Sequence, residues 1–217
     1  LCQVSLKLKP RSMAIQVKAV SSKKEMKTFV RFANRLYKDN RYYVPSMPSD
    51  DMATFDKGHN EAFAFSEAEL YLAYKDGEVV GRVAAIINNK ANEAWGVKQV
   101  RFGWIDFIDD LEVSAALLDA VIEFGRKAGM TQIVGPLGFT DFDPEGMLVE
   151  GYDRLSTMAL IYNHPYYPEH MKKHGYYKET GWAEYRITIP QQLPERHVKP
   201  AELAKERNKL KARKLTK

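Results

Sequence analysis

A single cysteine, Cys2, leaves no pair for a disulfide and too few thiolates for a cysteine-rich zinc site. No apolar run approaches the ~20 residues that span a bilayer, so no membrane partner is expected. The first twelve residues alternate leucine and valine with lysine and lack the apolar centre of a signal peptide. A cytoplasmic protein is the expectation. What is present suffices for a fold: 217 residues, 45% apolar and 28% charged, can bury a real core, which excludes global disorder.

Acidic charge is also in short supply, since the net charge is +5. That excess is carried by the ends. Residues 1–12 hold +3 and residues 195–217 hold +6, leaving residues 13–194 at −4. A nucleic-acid binder carries its basic footprint on the folded domain, so nucleic acid is not an expected partner. Residues 1–12 read as an extension outside the fold, 13–194 as the folded domain, and 195–217 as a basic linker or the start of a second domain.

Residues 15–20 alternate like a short strand. Ser22 and Glu25 then have capping-box spacing. Met26, Phe29, Val30, Ala33 and Leu36 follow at helical spacing, which predicts an amphipathic helix over 23–38. Residues 40–65 read as a long structured loop with one short helix. Two apolar runs, 69–74 and 79–88, flank Asp76-Gly77, a dipeptide that accepts the positive φ of a tight hairpin. Residues 99–108 make a third strand. Val113, Ala116, Leu117, Ala120, Val121 and Phe124 mark the clearest helix, with Asp109 or Asp110 to cap it and Gly129 to stop it. A strand over 131–137, a loop over 138–163, a short helix over 168–174 and a last strand over 182–189 complete the order. The fold class is α/β (α+β), a mixed sheet flanked by helices.

That order resembles the GNAT superfamily of acyl-CoA N-acyltransferases. The likeness is carried by Ala116-Leu117-Leu118-Asp119-Ala120, Phe124-Gly125-Arg126-Lys127-Ala128-Gly129 and Lys172-Lys173-His174-Gly175-Tyr176. Tyr42-Tyr43-Val44-Pro45, Gly81-Arg82-Val83-Ala84-Ala85-Ile86 and Gly135-Pro136-Leu137-Gly138-Phe139 are similar to an uncharacterised bacterial acetyltransferase-like branch. The resemblance implies a mostly antiparallel GNAT-like sheet over 13–194 whose central strand splays from its neighbour. It also implies acetyl-CoA in the gap, with Phe107, Ile108, Asp109, Asp110, Val113 and Ser114 at the diphosphate and pantetheine positions.

The sequence departs from the family there. The loop that normally opens the main helix is glycine-rich, so that free amides can close on an anion. Here it holds Asp109, Asp110 and Glu112 and no glycine, so weakened CoA binding is expected. The family's general-acid tyrosine falls on Met171, which has no proton to give. Tyr166 and Tyr167, one turn earlier, are the substitutes, and Asp106 late in the central strand is the candidate general base if it faces the cleft.

Asp141, Asp143, Glu145 and Tyr152 can form an acidic lid that receives an amine. Asp141-Phe-Asp143-Pro-Glu145-Gly146 imitates a calcium loop, but its twelfth position is Tyr152 rather than a bidentate glutamate. His170 and His174 share an i, i+4 face without a third ligand nearby, and no metal is expected. Two functions stay open: an N-acetyltransferase acting on a small-molecule amine, or a non-catalytic GNAT-like domain paired with a second GNAT-like domain. The second is suggested by Ile15-Gln16-Val17-Lys18-Ala19-Val20-Ser21, whose apolar spacing recurs in Leu210-Lys211-Ala212-Arg213-Lys214-Leu215-Thr216.

Overall fold

The computed structural model describes residues 15–155, 157, 160–211 and 213–214. Two compact units divide the chain, Leu1–Tyr177 and Lys178–Lys217. The extension expected over 1–12 and part of the heptapeptide echo, Ala212, Leu215 and Thr216, lie outside the described residues.

In the first unit a five-stranded sheet runs β1 (Gln16–Ala19), β2 (Ser66–Lys75), β3 (Glu78–Asn88), β4 (Gln99–Phe107) and β5 (Gln132–Val134), in that spatial order. The first four are antiparallel to their neighbours, and β5 lies parallel to β4. The β2–β3 hairpin turns on Asp76 (φ 54°) and Gly77 (φ 84°), the left-handed pair that a tight turn requires. Helices α1 (Lys23–Leu36), α2 (Pro48–Thr54), α3 (Asn89–Trp95), α4 (Leu111–Lys127) and α5 (Tyr166–Lys173) complete the unit.

Strand β3 explains why the sheet is covered on both faces. Its Val83, Ala85 and Ile87 pack with Val113, Leu117 and Val121 of α4, whereas Ala84 and Ile86 pack with Phe29 and Val30 of α1. A strand buried on both sides reads as a continuous apolar run rather than an alternation. Each large side chain so buried contributes roughly 1.5–3 kcal/mol. The start of α1 is fixed by the Ser22–Glu25 capping box: Glu25 N donates to Ser22 Oγ at 3.2 Å and Ser22 N to Glu25 Oε2 at 3.0 Å.

Two irregularities shape the end of β4. Arg82 pairs with Asp106 but Ala84 with Gly103, so β4 carries one extra residue, and Trp104 takes φ 45° there. Such a bulge bends its strand and re-aims the residues after it. On the other edge, β5 pairs with β4 only over Gln99, Val100 and Arg101, after which Leu137 N reaches Phe102 O at 2.9 Å. Glycines permit that approach, because a Cβ on Gly103 would stand 2.5 Å from Leu137 O. Beyond it the strands part, and α5 covers the exposed edge of β4.

Four expectations change. The strand over 131–137 shortens to three residues because the chain turns at Gly135-Pro136. The helix over 168–174 starts at Tyr166, which places both tyrosines in its first turn. Helix α3, capped by Asn88 and closed by left-handed Gly96, was not anticipated. The last strand over 182–189 is not formed among the described residues: Trp182, Tyr185, Ile187 and Ile189 are exposed, without a ladder partner. An alternating pattern makes a strand only where a neighbouring edge pairs with it. That segment and helix α6 (Glu195–Arg207) belong to the second unit.

Candidate functional site

The bulge turns Asp106 inward, where it is only 7% exposed. Asp106 Oδ2 accepts from Arg82 Nε at 2.8 Å and lies 2.8 Å from Arg82 Nη2. Arg82 Nη1 donates to Phe29 O at 2.8 Å, tying α1 to the sheet. The Tyr37 hydroxyl donates to Asp106 Oδ1 at 3.0 Å and lies 2.8 Å from the Tyr167 hydroxyl. Tyr37 has one proton for these two acceptors, and the carboxylate is the stronger. Asp106 is therefore a paired, buried carboxylate rather than a base exposed in a cleft.

Helix α5 closes the gap between β4 and β5 with its first turn. Phe107 N donates to the Tyr167 hydroxyl at 2.9 Å, and the Tyr166 hydroxyl donates to Phe107 O at 2.6 Å. Tyr167 stacks on the Phe107 ring with centroids 4.2 Å apart. Burial, with the Asp106 charge second, holds the Tyr37 and Tyr167 hydroxyls well above the usual tyrosine range. Burial also raises Tyr166, with Asp109 second. All three stay protonated at neutral pH.

One turn further on, α5 is fastened to the start of α4. Ser114 Oγ lies 2.9 Å from His170 Nδ1 and 2.8 Å from His174 Nε2, while His170 Nε2 lies 2.9 Å from Asp109 Oδ1. The order Ser–His–Asp imitates a nucleophilic relay. Ser114 is fully buried and its hydroxyl is shared between two imidazoles, so the arrangement is a clasp. The two histidines considered as metal ligands are used here. Among the described residues no group of three or more His, Cys, Asp or Glu could hold a metal ion.

These positions also test whether an acyl-CoA fits. At the helix start, Asp110 Oδ1 takes the Glu112 amide at 2.9 Å and Asp110 Oδ2 pairs with Lys75 Nζ at 2.6 Å. The Lys75 bond holds the Asp110 carboxyl below its ordinary range. Val113 is buried, and Ile108 packs against the same core. The Phe107 N–H that could meet an extended ligand is spent on Tyr167. The Phe107 and Glu112 amides, which an acyl-CoA would meet here, are already bonded within the protein. Two of the three acids there, Asp109 and Asp110, are engaged with His170 and Lys75. Asp110 takes up the Glu112 amide, and Tyr167 and Tyr166 take up the N–H and C=O of Phe107.

The acidic loop has bonds of its own. Asp141, Asp143 and Glu145 act on the charge of Arg101, whose buried guanidinium donates to Gly138 O at 3.0 Å. Asp143 Oδ2 accepts from Thr140 N at 2.9 Å. No hydrogen bond among the described residues joins these acids to Asp106. The Tyr152 hydroxyl donates to Leu148 O at 2.7 Å, and Tyr152 O accepts from Tyr162, which packs against Tyr37.

Three site residues were not picked out from the sequence. Arg82, a lone cation in an apolar run, carried the signal of a buried partner. Tyr37 lies one residue past the end of α1, on its buried face. His164 gave no signal. Its half-buried ring sits 4.8 Å from the Tyr37 ring and 5.2 Å from the Tyr166 ring. Burial lowers its pKa against the opposing pull of Asp106 and Asp109. Its ring nitrogens make no hydrogen bond among the described residues, which leaves a neutral imidazole able to accept a proton beside three protonated tyrosines.

The strand order, the bulged and splayed β4, and the helix over the gap define a GNAT-like fold. No family model matches the chain. It is similar to the protein YghO of Escherichia coli K12, 28% identical over 165 residues, covering 75% of this chain and 41% of that protein. It is also similar to the bacterial ceramide synthase of Caulobacter vibrioides, 28% identical over 183 residues, covering 83% of this chain and 47% of the other. The chain thus spans about half the length of these relatives or less. Among solved structures, a predicted acetyltransferase with acetyl-CoA from Clostridium acetobutylicum aligns with 79% of this chain and 96% of its own at TM-score 0.48 and 11% identity. The ribosomal-protein-alanine N-acetyltransferase of Brucella melitensis aligns with 81% and 99% at TM-score 0.42 and 15% identity.

Proposed function

We propose that this chain is a GNAT-like N-acyltransferase-type domain that keeps an amine-receiving face but has closed its own acyl-CoA groove. The observation that carries this reading is the set of four internal bonds that engage the Phe107 backbone and the Ser114 hydroxyl. In this reading a second GNAT-like domain would hold the acyl donor; the amine would attack the thioester carbonyl, the carbon–sulfur bond would break as the amide forms, and the proton lost by the amine would pass by way of His164 to the departing CoA thiolate. Relatives about twice this length support a two-part enzyme. The name of the Caulobacter relative supports the substrate class, since a ceramide is the amide of a long-chain amine.

Calorimetry tests the reading directly. The 217-residue chain, titrated with acetyl-CoA and with a long-chain acyl-CoA, is expected to bind neither more tightly than the millimolar range. Micromolar binding of either would overturn the closed groove and restore a self-sufficient acetyltransferase.

A further inference from the structure

Although residues 13–194 are acidic overall, α1 concentrates cations on one side. Lys23, Lys24, Lys27, Arg31 and Arg35 are all exposed. At 100° per residue they fall within an arc of about 120°, opposite the core-facing Phe29, Phe32 and Ala33. None of the five forms an ion pair among the described residues. Arg35 spends one nitrogen on Val79 O at 2.7 Å. The helix's one acid, Glu25, is turned back onto Ser21 and Ser22. Helices on a domain surface usually intersperse both signs, and this one does not.

Apolar side chains flank the same face. Asn34, at its edge, accepts from the Tyr43 hydroxyl at 2.7 Å and donates to Ser46 O at 3.0 Å, pinning the loop between them to α1. That loop exposes Val44 and Met47 at 54% and 64%. At the start of α2, Asp51 accepts from Ser46 Oγ at 2.7 Å and is tied into the loop, while its neighbour Asp50 is exposed and is the acid nearest Met47 in the chain. Cations beside protruding apolar side chains suit a surface that is anionic outside and greasy beneath. A nucleic acid would use the cations and leave Val44 and Met47 in water.

We propose that the basic face of α1, with Val44 and Met47, docks the protein on an anionic lipid bilayer. The expectation of no membrane partner rested on the lack of a spanning run, and a helix lying on a surface needs none. The inference is independent of the acyltransferase reading, because vesicle binding requires no acyl donor.

The test is flotation of the chain with vesicles of phosphatidylglycerol and phosphatidylcholine against vesicles of phosphatidylcholine alone. Expected are at least tenfold greater retention on the anionic vesicles and a steep loss in high salt. Lys27→Glu with Arg31→Glu should lower retention tenfold or more, and Val44→Ser with Met47→Ser severalfold; circular dichroism checks that both variants fold. Equal retention on neutral vesicles would overturn the proposal. So would unchanged retention of the charge-reversed variant, which would assign binding to residues 195–217, or tighter binding to a random oligonucleotide than to vesicles.

Discussion

The Tyr167 hydroxyl accepts the Phe107 backbone N–H at 2.9 Å, so a side chain of α5 completes the hydrogen bonding of β4 where β5 has turned away. Removing that oxygen leaves a buried N–H without an acceptor, which costs about 1–3 kcal/mol. Tyr167→Phe should therefore lower the unfolding free energy measured by urea denaturation by that amount. Tyr166→Phe, whose partner Phe107 O also has Tyr167 within 3.3 Å, should cost about 1 kcal/mol or less. Equal losses in the two variants would contradict the assigned bonds.

The Arg82–Asp106 pair is buried, with side-chain exposures of 5% and 9%, and holds α1, β3 and β4 together. Arg82→Met should cost about 3–5 kcal/mol, because it leaves a carboxylate without its cation. The double variant Arg82→Met with Asp106→Leu should recover part of that loss. Chemical denaturation checks both, and a double variant no more stable than the single would count against the pair.

Acid should weaken the fold in two windows. His164 and His174 both have lowered pKa values, mainly from burial. The unfolded chain then takes up protons first as pH falls below about 6.5, and stability declines there. Glu25, held at about 2 by its bonds to Ser21 and Ser22, acts lower down, between its ordinary 4.5 and that value. Melting temperature measured from pH 7.5 to 3 should fall, and His164→Gln with His174→Gln should flatten the slope between pH 7.5 and 5 while leaving the loss below pH 4.5. An unchanged slope in the double variant would remove the histidines from the account.

The elements legible in the sequence were those whose causes are local. The Ser22–Glu25 box, the Asp76-Gly77 turn and the stripe on α4 are each specified within a few residues. The site was legible only in part. Asp106, Tyr166, Tyr167, Asp109 and Ser114 do converge, because GNAT-like order brings the end of β4, the start of α4 and α5 together. Their roles were not legible, since pairing with Arg82, Tyr37, His170 and His174 spans 24 to 69 positions of chain. The bulge at Trp104 is a sheet-level event whose one local sign is Gly103, an isolated glycine within the strand. The segment over 182–189 has a strand's alternation, but no sequence pattern supplies the edge it needs.

The closed groove is the central claim, and one titration meets it head on. Isothermal calorimetry of the 217-residue chain with acetyl-CoA should give no saturable heat below millimolar ligand. Loosening the clasp in the Tyr167→Phe, His174→Ala variant should not weaken binding and is expected to strengthen it. A micromolar dissociation constant for the unmodified chain would contradict the account.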